Sequence, residues 1–140
     1  MNIRTVTLEW SYPKLIDNIF EDDRIYEKGI YCISRKFGES ETLLYIGKTA
    51  DCFYNRLSSH YENWIDDYRG KKYVRLGIII SPKNYEDDLI EDIEGALIYE
   101  MQPLHNTAKC QSYNYVYECK IHNEGFRGML PPLISMRDQE

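Results

Sequence analysis

Apolar and polar residues alternate from position 2 to position 10, with Ile3, Val6, Leu8 and Trp10 set among Arg4, Thr5, Thr7 and Glu9, and this predicts a strand. Ser11-Tyr12-Pro13 breaks the run, and Pro13 suits the first turn of a short helix reaching Phe20. Two β-type runs follow, residues 29–34 and 43–47, separated by the polar stretch 35–42. Period-two runs rich in β-branched and aromatic residues on either side of a turn-forming segment predict a hairpin. The period then changes. Phe53, Leu57, Tyr61, Trp64 and Ile65 recur at spacings of three and four, which predicts an amphipathic helix over 52–68 with Thr49 or Asp51 as its N-cap. Residues 73–80 are nearly continuous in apolar side chains and read as a strand buried on both faces. Leu89, Ile90, Ile93, Ala96, Leu97 and Met101 form the stripe of a second helix, 87–102, which Pro103 ends. A last alternation predicts a strand over 114–122, closed by a turn at Asn123-Glu124-Gly125 and followed by a tail.

These elements predict an α/β (α+β) fold. A small, mainly antiparallel three-stranded central sheet (29–34, 43–47 and 73–80) is flanked by the two helices. The core spans 28–107. Segment 1–27 is expected as an N-terminal extension, a strand plus a short helix packed on the core. Segment 108–140 is expected as a C-terminal extension with one strand and a tail. A length of 140 residues with 43% hydrophobic and 14% aromatic content suits one domain with a real core. No run of 18 apolar residues occurs, so no membrane span is expected. The start lacks a basic-then-apolar pattern, which points to an intracellular, cytoplasmic protein. The four cysteines show no CxxC spacing and read as reduced, small apolar residues rather than a zinc site or disulfide frame.

The chemistry gathers at a few separated positions. Gly29-Ile30-Tyr31 and Tyr45-Ile46-Gly47 place a tyrosine on each arm of the predicted hairpin. Arg56 and His60 follow at i,i+4 spacing, on one side of the first helix. Glu94 is embedded among Ile93, Ala96, Leu97 and Ile98, where a carboxylate is costly unless it is paired or binds a cation. Asn106 stands just past Pro103. Taken in order, these positions resemble the GIY-YIG nuclease superfamily, which includes homing endonucleases, some restriction enzymes and the excision-repair nuclease subunit.

The resemblance covers about Lys28 to Thr107 and implies a metal-dependent endonuclease acting on DNA. It implies that Tyr31 is the general base or water-orienting group, supported by Tyr45. Glu94 would hold a single Mg²⁺ or Mn²⁺, with waters and phosphate oxygens in the remaining positions, as hard cations prefer. Arg56 can clamp a non-bridging phosphate oxygen through two parallel hydrogen bonds, and His60 can relay a proton. Gly47 ends its strand where a Cβ could block substrate, Lys48 can meet a phosphate, and the Asn106 amide can orient either the active-site loop or a phosphate oxygen. In-line attack by water would leave a 5′-phosphate and a 3′-hydroxyl.

Charge complicates this reading. The net charge is −6, and phosphate-gripping proteins gain affinity from Lys and Arg. The acidity is local, however. Residues 29–83 hold nine basic and six acidic side chains, whereas 84–107 hold seven acidic ones and no Lys or Arg. A protein partner that supplies target recognition is therefore expected alongside nucleic acid. Two other classes stay open: a non-catalytic nucleic-acid binding module of the same fold, and an acidic protein-interaction or DNA-mimic module.

Overall fold

β1 (Ile3–Trp10), β2 (Lys14–Leu15), β3 (Gly29–Phe37), β4 (Ser40–Thr49), β5 (Lys71–Ser81), β6 (Glu118–Gly125) and β7 (Leu133–Ser135) form a single seven-stranded mixed sheet, curled into a half-barrel. The computed structural model describes residues 3–61 and 64–136, without the side chains of 59–61. The strand order is β4-β3-β5-β1-β6-β7, with β2 paired to β5. Most neighbours are antiparallel, but β1 and β6 run parallel over their full lengths. Among the described residues there are two α-helices, α1 (Phe53–Tyr61) and α2 (Asp87–Met101).

This architecture overturns the expected three-stranded sheet flanked by helices. The three predicted strands lie side by side as β4-β3-β5, yet they are less than half of the sheet. Two physical reasons account for the difference. Backbone pairing needs no apolar side chains, so the polar ends of the hairpin also pair, as Lys36 with Glu41 and Arg35 with Thr42. In addition, Val6, Leu8 and Trp10 are almost fully buried, and this is achieved by placing β1 inside the sheet between β5 and β6. Segment 1–27 thus supplies an interior strand, and segment 108–140 supplies two further strands.

Local expectations shift for similar reasons. The segment after Pro13 is not helical. Lys14 and Leu15 pair with Val74 and Tyr73, and Ile16 N–H donates to the Lys72 carbonyl at 2.9 Å. Of the predicted helix over 52–68, Phe53–Tyr61 is helical and residues 62–63 lie outside the described residues. Trp64 has φ −128°, outside helical space, and a separate 3₁₀ turn covers Ile65–Asp67. Thr49 and Asp51 bond to each other instead of capping α1, whose first N–H groups are taken by the carbonyls of Glu27 and Ile25. The last strand begins four residues later than the alternation suggested. The Val116 and Tyr117 N–H groups bond to the Asp92 carboxylate of α2 and so leave the ladder. The predicted turn at Asn123 lies within β6, where its side chain accepts from Trp10 Nε1 at 3.0 Å.

The sheet separates two apolar cores. Ile30, Cys32, Ile46 and Ile79 pack under α2 together with β1, β6 and β7. Tyr31, Ile33, Val74 and Leu76 pack under Phe53 and Leu57 of α1 and under Trp64. The cysteines of the described residues are free. No helix of the described residues is long and apolar enough to cross a membrane.

Candidate active site at the edge of the sheet

β4 is the first strand of the sheet order, and a bulge in it shapes the site. Ile33 pairs with Tyr45 while Ser34 pairs with Leu43, so Leu44 is an extra residue. A bulge bends its strand and re-aims neighbouring side chains. Here Leu44 enters the α1-side core, and Tyr45 stands half-buried on the same face. Tyr31, paired with Gly47, shares that face. The Tyr31 and Tyr45 ring centroids lie 6.1 Å apart, tilted by 36°.

Gly47 is needed for this arrangement. A Cβ at position 47 would fall on the Tyr31 ring and hydroxyl and on the edge of Tyr45. The missing side chain is the space the Tyr31 phenol fills.

α1 then brings Arg56 over the pair, and its guanidinium hydrogen-bonds to the side chains of both tyrosines. Tyr31 is fully buried, and burial pushes its phenol well above the usual range. Tyr45 and Glu94 add to the rise, and Arg56 opposes it. Burial thus favours the neutral phenol over the phenolate. The Arg56 guanidinium loses some solvation, but the two tyrosine oxygens more than offset this and raise its pKa.

A pocket of about 410 Å³ opens at this edge. Tyr45 and Arg56 reach it from the α1 side, and Glu94, Lys48, Asn106 and Lys109 complete its polar lining. Tyr31 stands behind Arg56 and touches the pocket through it. Glu94 is buried on α2, 8% exposed, and its Oε1 accepts from Lys109 Nζ at 2.7 Å. Lys48 pairs in register with Ile30 and so shares the α2 face of the sheet. The pocket thus straddles β4 and draws on both layers.

Asn106 has a defined task. Its Oδ1 accepts from Ile46 N–H at 2.9 Å, and its Nδ2 donates to the Ile46 carbonyl at 3.0 Å. Leu104 and His105 N–H groups donate to the Leu43 and Leu44 carbonyls. The loop after α2 therefore pairs along the free edge of β4, across the bulge. Both polar atoms of the Asn106 amide are thus engaged by Ile46 of β4. His60 belongs to α1, but its side chain lies outside the described residues.

Three cations (Lys48, Arg56 and Lys109) face one carboxylate in the pocket, an arrangement suited to an anion such as a phosphate. Among the described residues no cluster of three or more His, Cys, Asp or Glu could hold a metal. A single buried carboxylate in an open polar pocket does fit a hard cation that takes its other ligands from water and phosphate. Glu94 would hold it, once Lys109 releases the carboxylate.

The sequence reading missed Lys109. A signal was present: it is the first basic residue after the acid-only stretch 84–107. Asp92 on the same helix is also buried, only 2% exposed, and ties α2 to the chain leading into β6. No family model, curated protein or solved structure matches the chain.

Proposed function

We propose that this protein is a divalent-metal-dependent endonuclease that hydrolyses phosphodiester bonds in DNA. The observation that carries the reading is the convergence of Tyr45, Arg56 and Glu94 on one cationic pocket, with Tyr31 bonded to Arg56 behind it. Arg56 takes a non-bridging oxygen of the scissile phosphate, and its bonds to both phenols fix its direction of approach. Lys48 adds a second positive charge at the strand edge. Tyr31, held neutral by burial, would aim the attacking water once the phosphate draws Arg56 off its hydroxyl, while Tyr45 packs against it and shares Arg56. Asn106 holds the loop that closes the pocket. Glu94 would bind Mg²⁺ or Mn²⁺, which as a Lewis acid would stabilise charge on the phosphoryl group and the leaving 3′ oxygen. A protein partner that supplies target recognition suits the acidic surface.

One observation favours a second reading. With Lys109 on Glu94, the pocket is complete as an anion-binding site without a metal, as a non-catalytic nucleic-acid module requires. The DNA-mimic reading has less support, because Asp92 and Glu94 are buried and leave fewer acids on the outer face of α2.

Cleavage of plasmid and oligonucleotide DNA with Mg²⁺, Mn²⁺ or EDTA tests the proposal. Metal-dependent cuts bearing a 5′-phosphate are expected. Inactivity with both metals, persisting in complexes recovered by pull-down, would transfer the preference to the non-catalytic module.

A further inference from the structure

Beside the cationic pocket lies a second cavity of about 510 Å³, whose walls include Tyr45, Trp64, His105, Asn106 and Thr107. The two cavities have Tyr45, Asn106 and Ala108 in common, so they adjoin. Their chemistry differs sharply. The first is lined by Lys48, Arg56, Lys109 and Glu94, whereas the described residues that line the second include no Lys, Arg, Asp or Glu. The His105 ring stacks on Trp64 with centroids 4.0 Å apart and 16° between planes. Tyr68 hydroxyl bonds to His105 Nδ1 at 2.9 Å and fixes the ring's orientation. Trp64 is only 8% exposed, so His105 and Tyr45, both half-buried, present the aromatic surface.

We propose that this second cavity is a nucleobase subsite, taking the base of the nucleotide whose phosphate sits at Arg56. The proposal rests on the nuclease reading and adds the form of its substrate. A nucleotide carries an aromatic ring beside an anionic phosphate, and the adjoining cavities place aromatic surface beside cationic surface in the same way. A base that enters a cavity walled by aromatic side chains has left its own stack, as in single strands, bulges and frayed ends. The surface beyond the cavity continues the pattern. The Arg35 guanidinium lies over the Tyr68 ring, 5.8 Å from its centroid, and Arg35 pairs directly with Lys72. A further phosphate of the same strand meets those cations, so the occupant is a polynucleotide.

The test compares a short single-stranded oligodeoxynucleotide with the same backbone carrying abasic residues, titrated by fluorescence anisotropy into the intact protein in EDTA. Stacking on aromatic side chains is worth about 1–3 kcal/mol per base, so the abasic strand should bind roughly tenfold to a hundredfold more weakly. His105→Ala, with its thermal midpoint measured alongside, should narrow that gap without altering the salt dependence. Equal binding of intact and abasic strands by the wild-type protein would overturn the base subsite and leave the phosphate site standing. Failure to bind either strand would overturn the subsite, while metal-dependent cleavage, measured separately, decides the nuclease reading.

Discussion

Lys109 Nζ lies 2.7 Å from Glu94 Oε1 and 3.5 Å from Glu91 Oε1, so one ammonium spans an inner and an outer carboxylate of α2. Lys109 also has φ +67°, a left-handed conformation that a non-glycine residue holds only when its surroundings enforce it. The ammonium stands where a cation bound by Glu94 would stand, and Glu91 offers it a second seat. Lys109→Met should therefore tighten Mn²⁺ binding. A charge-assisted hydrogen bond is worth about 1.5–3 kcal/mol, which corresponds to roughly tenfold or more in affinity. Electron paramagnetic resonance of free Mn²⁺ measures this without reference to activity. Unchanged affinity would show that Lys109 does not compete with the metal.

Glu94→Gln keeps the shape of the side chain and removes its charge. Divalent-dependent cleavage should disappear, while circular dichroism and solubility stay as in the wild type. The amide oxygen still accepts from Lys109, so stability should fall by only about 1 kcal/mol. Wild-type cleavage by this variant, or full wild-type activity in excess EDTA, would remove Glu94 from the proposed role.

The central hairpin and α2 were legible because their signals are local: period-two runs in β3, β4 and β5, and a stripe of period near 3.6 in α2. The rest of the sheet was not, because its cause is non-local. Nothing in the sequence around Ile3 states that β1 will pair in parallel with a strand more than a hundred residues later. The break before residue 68 was hidden as well. Trp64 continues the helical spacing of Phe53 and Leu57, but its backbone is not helical and its ring stacks on His105, a contact with a residue distant in sequence. Within the site, Tyr31, Tyr45, Arg56 and Glu94 were found as separate positions. The bulge at Leu44 and the ammonium of Lys109 could not be read, since both exist only after the strands and the loop have paired.

Tyr31→Phe separates packing from chemistry. The ring still fills the space over Gly47, so stability should change little, whereas removal of the water-orienting hydroxyl should slow cleavage by about 10²-fold. The pH profile adds a sign. An unperturbed phenol titrates near pH 10, and burial raises that of Tyr31 further, so the hydroxyl keeps its proton throughout the working range. The rate should show no limb from Tyr31 below about pH 10. A limb near neutrality that vanishes in Tyr31→Phe would make the phenol a general base after all.

Acid stability should depend on Glu41. Burial works to raise its carboxyl pKa, but hydrogen bonds from Arg75 and Ser34, with the Arg75 charge, outweigh burial and lower it. The pair is close, with Arg75 Nη1 3.0 Å from Glu41 Oε1, and partly buried. A carboxylate with a depressed folded pKa contributes stability above its unfolded value, near 4.3, and loses it as pH falls through the folded value. Unfolding free energy measured by urea at pH 7 and at pH 3 should therefore drop less in Glu41→Gln than in the wild type. Equal drops would show that the Glu41 contact contributes nothing on folding.

The far end of the hairpin carries an arrangement that costs stability. Arg35 pairs directly with Lys72, and Lys36 with Lys71, so like charges face each other in two successive cross-strand pairs. Such pairs are unfavourable, by about 0.5 kcal/mol or less in exposed positions. The positions of Arg35 over the Tyr68 ring and of Lys36 over the Tyr73 ring relieve part of the repulsion. The two pairs point to opposite faces of the sheet, and if this end of the strands receives DNA phosphates, stability and affinity should move in opposite directions when it is neutralised. Lys71→Gln with Lys72→Gln should raise the thermal midpoint at low salt, and the gain should fade as salt screens the pairs. The same variant should bind DNA more weakly. The slope of log affinity against log salt should become shallower by about 0.9 for each phosphate that is no longer neutralised. A stability gain with unchanged DNA affinity and unchanged slope would mean that the nucleic acid leaves the sheet before reaching these strands.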